Sequence, residues 1–222
     1  EALRTRVDRL LVERLHPAVA TAPVSVTSWV SPEPTYGLPP HMPAGVPIEP
    51  GATWGSAWGT TWFRVTGQVP DGWLGRQGCR VELVVDFGFH DFEPGFQAEA
   101  IVYRPDGSIV KAIEARNQWI PVVTTEVDLY LEAASNPSFI ERRGWQTSHL
   151  GDPATLTDEH LYELRRVELT LVDETVEALV ADLELALDLL AAVPYDTARG
   201  RELAGAVQRS LAALDPQNIP GS

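Results

Sequence analysis

The sequence predicts a mainly β fold with α-helices at its two ends: an antiparallel β-sandwich flanked by an N-terminal helix and a C-terminal helical hairpin. Three observations carry this expectation. Apolar residues recur with a period of 3.6 at the start of the chain, with a period of two from Thr60 to about Asn136, and again with a period of 3.6 after Asp152-Pro153. No helical pattern interrupts the short alternating runs, and strands that follow one another directly pair antiparallel rather than through βαβ crossovers.

Residues 1–20 hold the first element. Leu3, Val7, Leu10, Leu11 and Leu15 are spaced by threes and fours between Arg4, Arg6, Asp8, Arg9 and Glu13, giving one apolar helical face. Pro17 disfavours the α conformation at His16 and ends it. Residues 21–53 contain eight prolines and little periodicity, which predicts an extended connector without a helix or a central strand. The sandwich is expected over 54–153. Its runs are Thr60–Val65, Arg80–Val85, Gln97–Tyr103, Ser108–Glu114 and Val127–Ala133, and Pro105-Asp106-Gly107 turns the third into the fourth as a hairpin. Residues 154–216 read as a helical hairpin. A long helix is expected from Thr157 through Leu161, Leu164, Leu171, Val176, Leu183 and Leu190 to a stop at Pro194. A second, capped by Asp196 or Thr197, runs through Leu203, Val207, Leu211 and Leu214 to Asp215-Pro216. Residues 217–222 read as a tail.

Composition narrows the function. The 222 residues are 44% hydrophobic and 22% charged, an ordinary globular mixture. A net charge of −14 repels phosphate backbones and anionic lipid, so neither nucleic acid nor a membrane is an expected partner. One cysteine, Cys79, forms no internal disulfide, and no run of about 18 apolar residues spans a bilayer; a cytoplasmic protein is expected.

Few residues are arranged for chemistry. His16, His41, His90, His149 and His160 are scattered, with no His-x-His, His-x-Asp or His-x-x-x-His pair to present two ligands to one metal. There is no Gly-x-Ser-x-Gly elbow and no phosphate-cradling Gly-Lys loop. Cys79, at the start of a strand, reads as a small core residue. His90 and Asp91, in Gly88-Phe89-His90-Asp91-Phe92-Glu93, form the densest polar group of the sandwich and could reach a ligand, although a solvated turn is the favoured reading. Asp86 ends an apolar strand, as a perturbed carboxylate or as a hydrogen-bonded strand end; an active site of the chain's own would use Asp86, Glu93 or His90, and no spacing singles out another carboxylate pair among the thirty-one acidic residues. Seven tryptophans are many for this length. Trp54, Trp58 and Trp119 could stack on sugar rings, although filling a core or a seam, which buries large area with one polar handle, is the favoured reading.

The run Trp54-Gly55-Ser56-Ala57-Trp58-Gly59-Thr60-Thr61-Trp62-Phe63-Arg64-Val65 is the most specific stretch of the chain. With Val69-Pro70-Asp71-Gly72-Trp73, Leu83–Gly88, Gly95–Ala100 and Leu129–Pro137, it resembles the N-terminal region of the family 38 glycoside hydrolases, the cytosolic and bacterial alpha-mannosidases. The resemblance covers nearly the whole chain. It implies a jelly-roll-like, galactose-binding-like sandwich that accompanies a catalytic domain. In that family a His-x-His-x-Asp segment supplies metal ligands and a later aspartate is the nucleophile; this sequence has no such segment. The resemblance therefore implies no catalytic and no metal-binding residue here and no cofactor in this chain, with zinc or another divalent metal belonging to the absent catalytic domain. Implied partners are that domain of the same polypeptide, the enzyme's glycan substrate and further copies of the chain. The alternative is a free-standing carbohydrate-binding module using Trp54, Trp58, His90, Asp91 or Trp119.

Overall fold

A computed structural model describes residues 17–33, 35–90, 97–137 and 159–213. Among these residues the strands are β1 (Ala18–Pro23), β2 (Ser25–Ser31), β3 (Val46–Pro47), β4 (Thr53–Ser56), β5 (Gly59–Gln68), β6 (Cys79–Asp86), β7 (Glu99–Tyr103), β8 (Ile109–Ile113), β9 (Trp119–Val122), β10 (Glu126–Ser135), β11 (His160–Glu163) and β12 (Arg166–Asp173). Two helices follow, α1 (Glu174–Ala192) and α2 (Ala198–Ala213). The strands form a six-stranded sheet of order β3-β2-β5-β10-β7-β8, a four-stranded sheet of order β1-β12-β6-β9 and a ribbon of β11 with β4. The mainly β sandwich with a helical hairpin is therefore present as the sequence predicts.

The described residues divide into two compact units, one of 22–33, 35–74, 81–90, 97–137 and 159–169, the other of 17–21, 75–80 and 170–213. In the first, β5 pairs antiparallel with β2 and β10, and β10 with β7. Period two puts Phe63 and Val65 of β5, Leu131 and Ala133 of β10, Val81, Leu83 and Val85 of β6 and Ile120 and Val122 of β9 into the core. The opposite face of β5 also buries an aromatic: Trp62 is 0% exposed, stacked on Trp29 at 5.5 Å and tilted against Tyr103 at 5.6 Å. The β7–β8 hairpin forms where the sequence places it. Asp106 Oδ1 accepts from the Ser108 N–H at 2.9 Å, and Gly107 takes the positive φ of 83° that the turn demands.

Two expectations are corrected. The proline-rich stretch 21–53 does contain a central strand, because β2 lies between β3 and β5 in the interior of the six-stranded sheet. Its prolines, Pro23 and Pro32, stand outside the strand, and Pro47 sits on the edge strand β3, where an absent N–H costs no ladder bond. The helix expected from Thr157 does not begin until Glu174, since residues 160–173 form β11 and β12. In Val167-Glu168-Leu169-Thr170-Leu171-Val172 the apolar residues also alternate, and Val167, Leu169 and Leu171 are buried. The helix at 2–15, residues 138–153 of the sandwich and the tail at 217–222 lie outside the described residues.

In the second unit, Asp173 caps α1, its Oδ1 accepting from the N–H groups of Thr175 at 2.9 Å and Val176 at 3.0 Å. Thr197 caps α2 as the sequence proposes, its Oγ1 accepting from the Gly200 N–H at 3.0 Å. Val176, Leu183 and Leu187 of α1 meet Val207 and Leu211 of α2 in a small apolar core. Arg80 holds Glu177 through both guanidinium Nη atoms.

Candidate functional site

Strand register gathers the sequence candidates at one end of the sandwich. The start of β5 pairs with the end of β10 (Gly59 with Ser135), the end of β10 with the start of β7 (Ala134 with Glu99), and the start of β7 with the end of β8 (Ala100 with Ile113). The end of β8 leads through residues 114–118 into β9, whose Trp119 pairs with Val84 near the end of β6. The β4–β5 turn with Trp58, the segment after β6 with His90, and Trp119 thus share that end.

The floor of this region is an aromatic cluster. Trp54 is 2% exposed, and its ring packs against Phe63 and Phe87 at 5.2 Å and Tyr162 at 5.4 Å, while Nε1–H donates to the Phe87 carbonyl at 2.9 Å. An indole so enclosed presents no face to a sugar, so Trp54 belongs to the core. Asp86 Oδ1 accepts from the N–H groups of Gly88 at 2.8 Å and Phe89 at 3.2 Å, the hydrogen-bonded strand end. Gly88 has φ of 90°, and a Cβ there would stand 2.6 Å from the Glu163 carbonyl oxygen, so only glycine fits. Arg165 Nη1 donates to the Phe89 carbonyl at 2.9 Å.

His90 is half-buried, its ring 5.7 Å from that of Tyr162, and its backbone N–H donates to Oε1 of the buried Gln97 at 2.7 Å. Tyr162 donates through its hydroxyl to the Asn136 carbonyl, and burial pushes its phenol up to about 12. Asn136 Nδ2 donates to the Gln97 carbonyl at 3.2 Å and to Glu99 Oε1 at 3.3 Å. These contacts fasten the roots of the segment that contains Asp91 and Glu93, which themselves lie outside the described residues. Trp119 is 41% exposed, and the ammonium of Lys111 sits 3.6 Å from its ring centroid. One face of that indole is therefore already taken by a cation. Trp58 is 49% exposed.

Gln97, Glu99, Asn136, Tyr162 and Arg165 were not singled out as site residues from the sequence. Only the register of β7, β10 and β11 brings them together. Among the described residues no three His, Cys, Asp or Glu side chains are placed together to hold a metal ion. Nor is any described helix long and apolar enough to cross a membrane.

Residues 22–170 match the family described as alpha-mannosidase, jelly roll domain. A search of curated proteins returned no significant match. The matched span takes in the six-stranded sheet, the β4–β11 ribbon and the aromatic floor, and the chain belongs to the alpha-mannosidase jelly-roll domain family.

Proposed function

We propose that this chain is a non-catalytic accessory region of an alpha-mannosidase of glycoside hydrolase family 38, standing N-terminal to the catalytic domain and packing on it. The observation that carries the reading is the match over residues 22–170, which is to a domain that accompanies mannosidase chemistry. The described side chains support it, since Asp86 is engaged by two backbone N–H groups as a strand-end carboxylate. Hydrolysis of alpha-mannosides is then the work of a catalytic domain with its own divalent metal, while this region shapes access to the cleft or the contacts between copies. The single cysteine and the charge of −14 suit a cytoplasmic enzyme acting on a neutral glycan.

The test is genetic and biochemical. The coding sequence that adjoins this region should encode a His-x-His-x-Asp segment. Co-purification of the two parts should give a complex that hydrolyses an aryl alpha-mannoside. A reading frame with no such segment overturns the proposal.

A further inference from the structure

Helix α1 is apolar on two opposite sides. Val176, Leu183 and Leu187 form the side that packs on Val207 and Leu211 of α2. Ala178, Ala181, Leu185, Leu189 and Ala192, spaced by threes and fours, lie on the reverse side, and all five are exposed, Leu185 by 59% and Leu189 by 45%. An acidic rim borders that stripe, since α1 carries Glu174, Glu177, Asp182, Glu184 and Asp188 and no basic residue. A helix with an apolar stripe on each side is normally enclosed between two neighbours, and α2 is one of them.

The backbone fixes where the N-terminal segment joins this unit. The N–H of Asp173, the cap of α1, donates to the Pro17 carbonyl at 2.8 Å, so the chain preceding Pro17 arrives beside the first turn of α1. That segment has the amphipathic pattern of a helix: Leu3, Val7, Leu11 and Leu15 follow one another at four-residue spacing, and Arg4, Arg6, Arg9 and Arg14 outnumber Asp8 and Glu13. At the rise of an α-helix, residues 2–15 extend about 21 Å, and α1 from its cap to Leu189 extends about 24 Å. The segment is thus long enough to run the length of the exposed stripe from the point where it is anchored.

We infer that residues 2–15 dock as an antiparallel helix on the outward stripe of α1 and complete a three-helix unit with α2. Leu3 and Val7 then stand level with Leu189 and Leu185, while Leu11 and Leu15 meet the small side chains of Ala181 and Ala178. Arg4 comes level with Asp188, and the arginines of the segment offset the acidic rim. A second copy seated on the same stripe would bring its own five acidic residues against these five with no base between them, which opposes pairing of α1 with itself. The link through Pro17 makes docking of the segment intramolecular, at an effective concentration of roughly millimolar. This docking does not depend on the accessory-region proposal, which stands or falls on the adjoining coding sequence.

The test is amide hydrogen exchange of the 222-residue protein, resolved by peptide mass spectrometry. Residues 2–15 should exchange slowly in the parent protein, as docked helical amides do. L185Q/L189Q makes the exposed stripe polar with good helix formers and leaves Val176, Leu183 and Leu187 on α2, so it should speed exchange across residues 2–15 at least about tenfold while the sandwich strands keep their protection. R4E/R14E reverses two of the segment's charges and should speed the same amides several-fold. Exchange of residues 2–15 at the rate of an unstructured peptide in the parent, or equal protection there in the parent and in L185Q/L189Q, would overturn the inference. Protection of residues 2–15 and α1 that grows with protein concentration would assign the stripe to a second copy and equally sink the intramolecular docking.

Discussion

Trp54, Trp58 and Trp62 lie four residues apart, and in an unbroken strand even spacing would aim all three the same way. The structure gives each a different fate. Trp54 closes the aromatic floor, Trp62 is enclosed on the other face of the sheet between Trp29 and Tyr103, and Trp58 stands half-exposed in a left-handed turn. Aromatic richness was legible in the sequence; which indole faces solvent was not, because it depends on one positive φ fixed by Ser135, 77 residues further on. Trp62→Ala should cost about 3–5 kcal/mol, since it empties a site that is 0% exposed and strips two ring contacts, and chemical denaturation of the two proteins measures the difference. Gly88→Ala should be at least as damaging for its size. It pairs a φ of 90° with a 2.6 Å approach to the Glu163 carbonyl, so the segment leaving β6 must move or lose its bonds to Asp86. Equal denaturation midpoints for Gly88→Ala and the parent would show that the backbone relaxes freely there.

At the scale of elements, helices and strands at the ends of the chain were harder to place than the central strands. Val127–Ala133 alternates and pairs with Thr60–Val65 as period two suggests, although β5 buries Trp62 as well as Phe63. Leu161, Leu164, Glu168 and Leu171 fit a helical face, yet β11 pairs with β4 more than one hundred residues away, and no local pattern announces that partner. The helix that does form starts where a side chain can cap it, at Asp173, rather than at Thr157. Its first turn also carries Glu177, whose carboxyl the hydrogen-bonded Arg80 guanidinium holds below its ordinary value of 4.5, against the opposing effect of burial. A carboxyl whose folded-state pKa is depressed adds stability above about pH 4.5, and that contribution is lost as the pH falls through the folded-state value. With side-chain exposures of 29% and 46%, solvent screening keeps the pair to about 0.5–1 kcal/mol. Glu177→Gln should therefore destabilise by that amount at pH 7 and by much less near pH 3. Parallel urea titrations at the two values check it, and an equal loss at both would remove the ion pair from the account.

For the whole molecule, the proposed accessory role predicts no glycosidase chemistry of its own. Retaining cleavage of a glycoside needs two carboxyls about 5–5.5 Å apart, one held protonated and one free to attack. Metal assistance needs several ligands converging on one point. Three carboxylates of the described sandwich are otherwise employed: Asp86 accepts two backbone N–H groups, Asp128 is bound bidentate by Arg64, and Glu132 accepts from the hydroxyls of Tyr103 and Thr35. Burial pushes the Tyr162 phenol up to about 12, and burial with the hydrogen bond to Glu132 does the same to Tyr103. The protein by itself should accordingly hydrolyse no aryl alpha-mannoside above a mock-purified control, and added zinc should leave that result unchanged. Turnover abolished by Asp86→Asn or His90→Ala would place an active site beside the segment after β6, and the accessory role would then give way to catalysis by this chain.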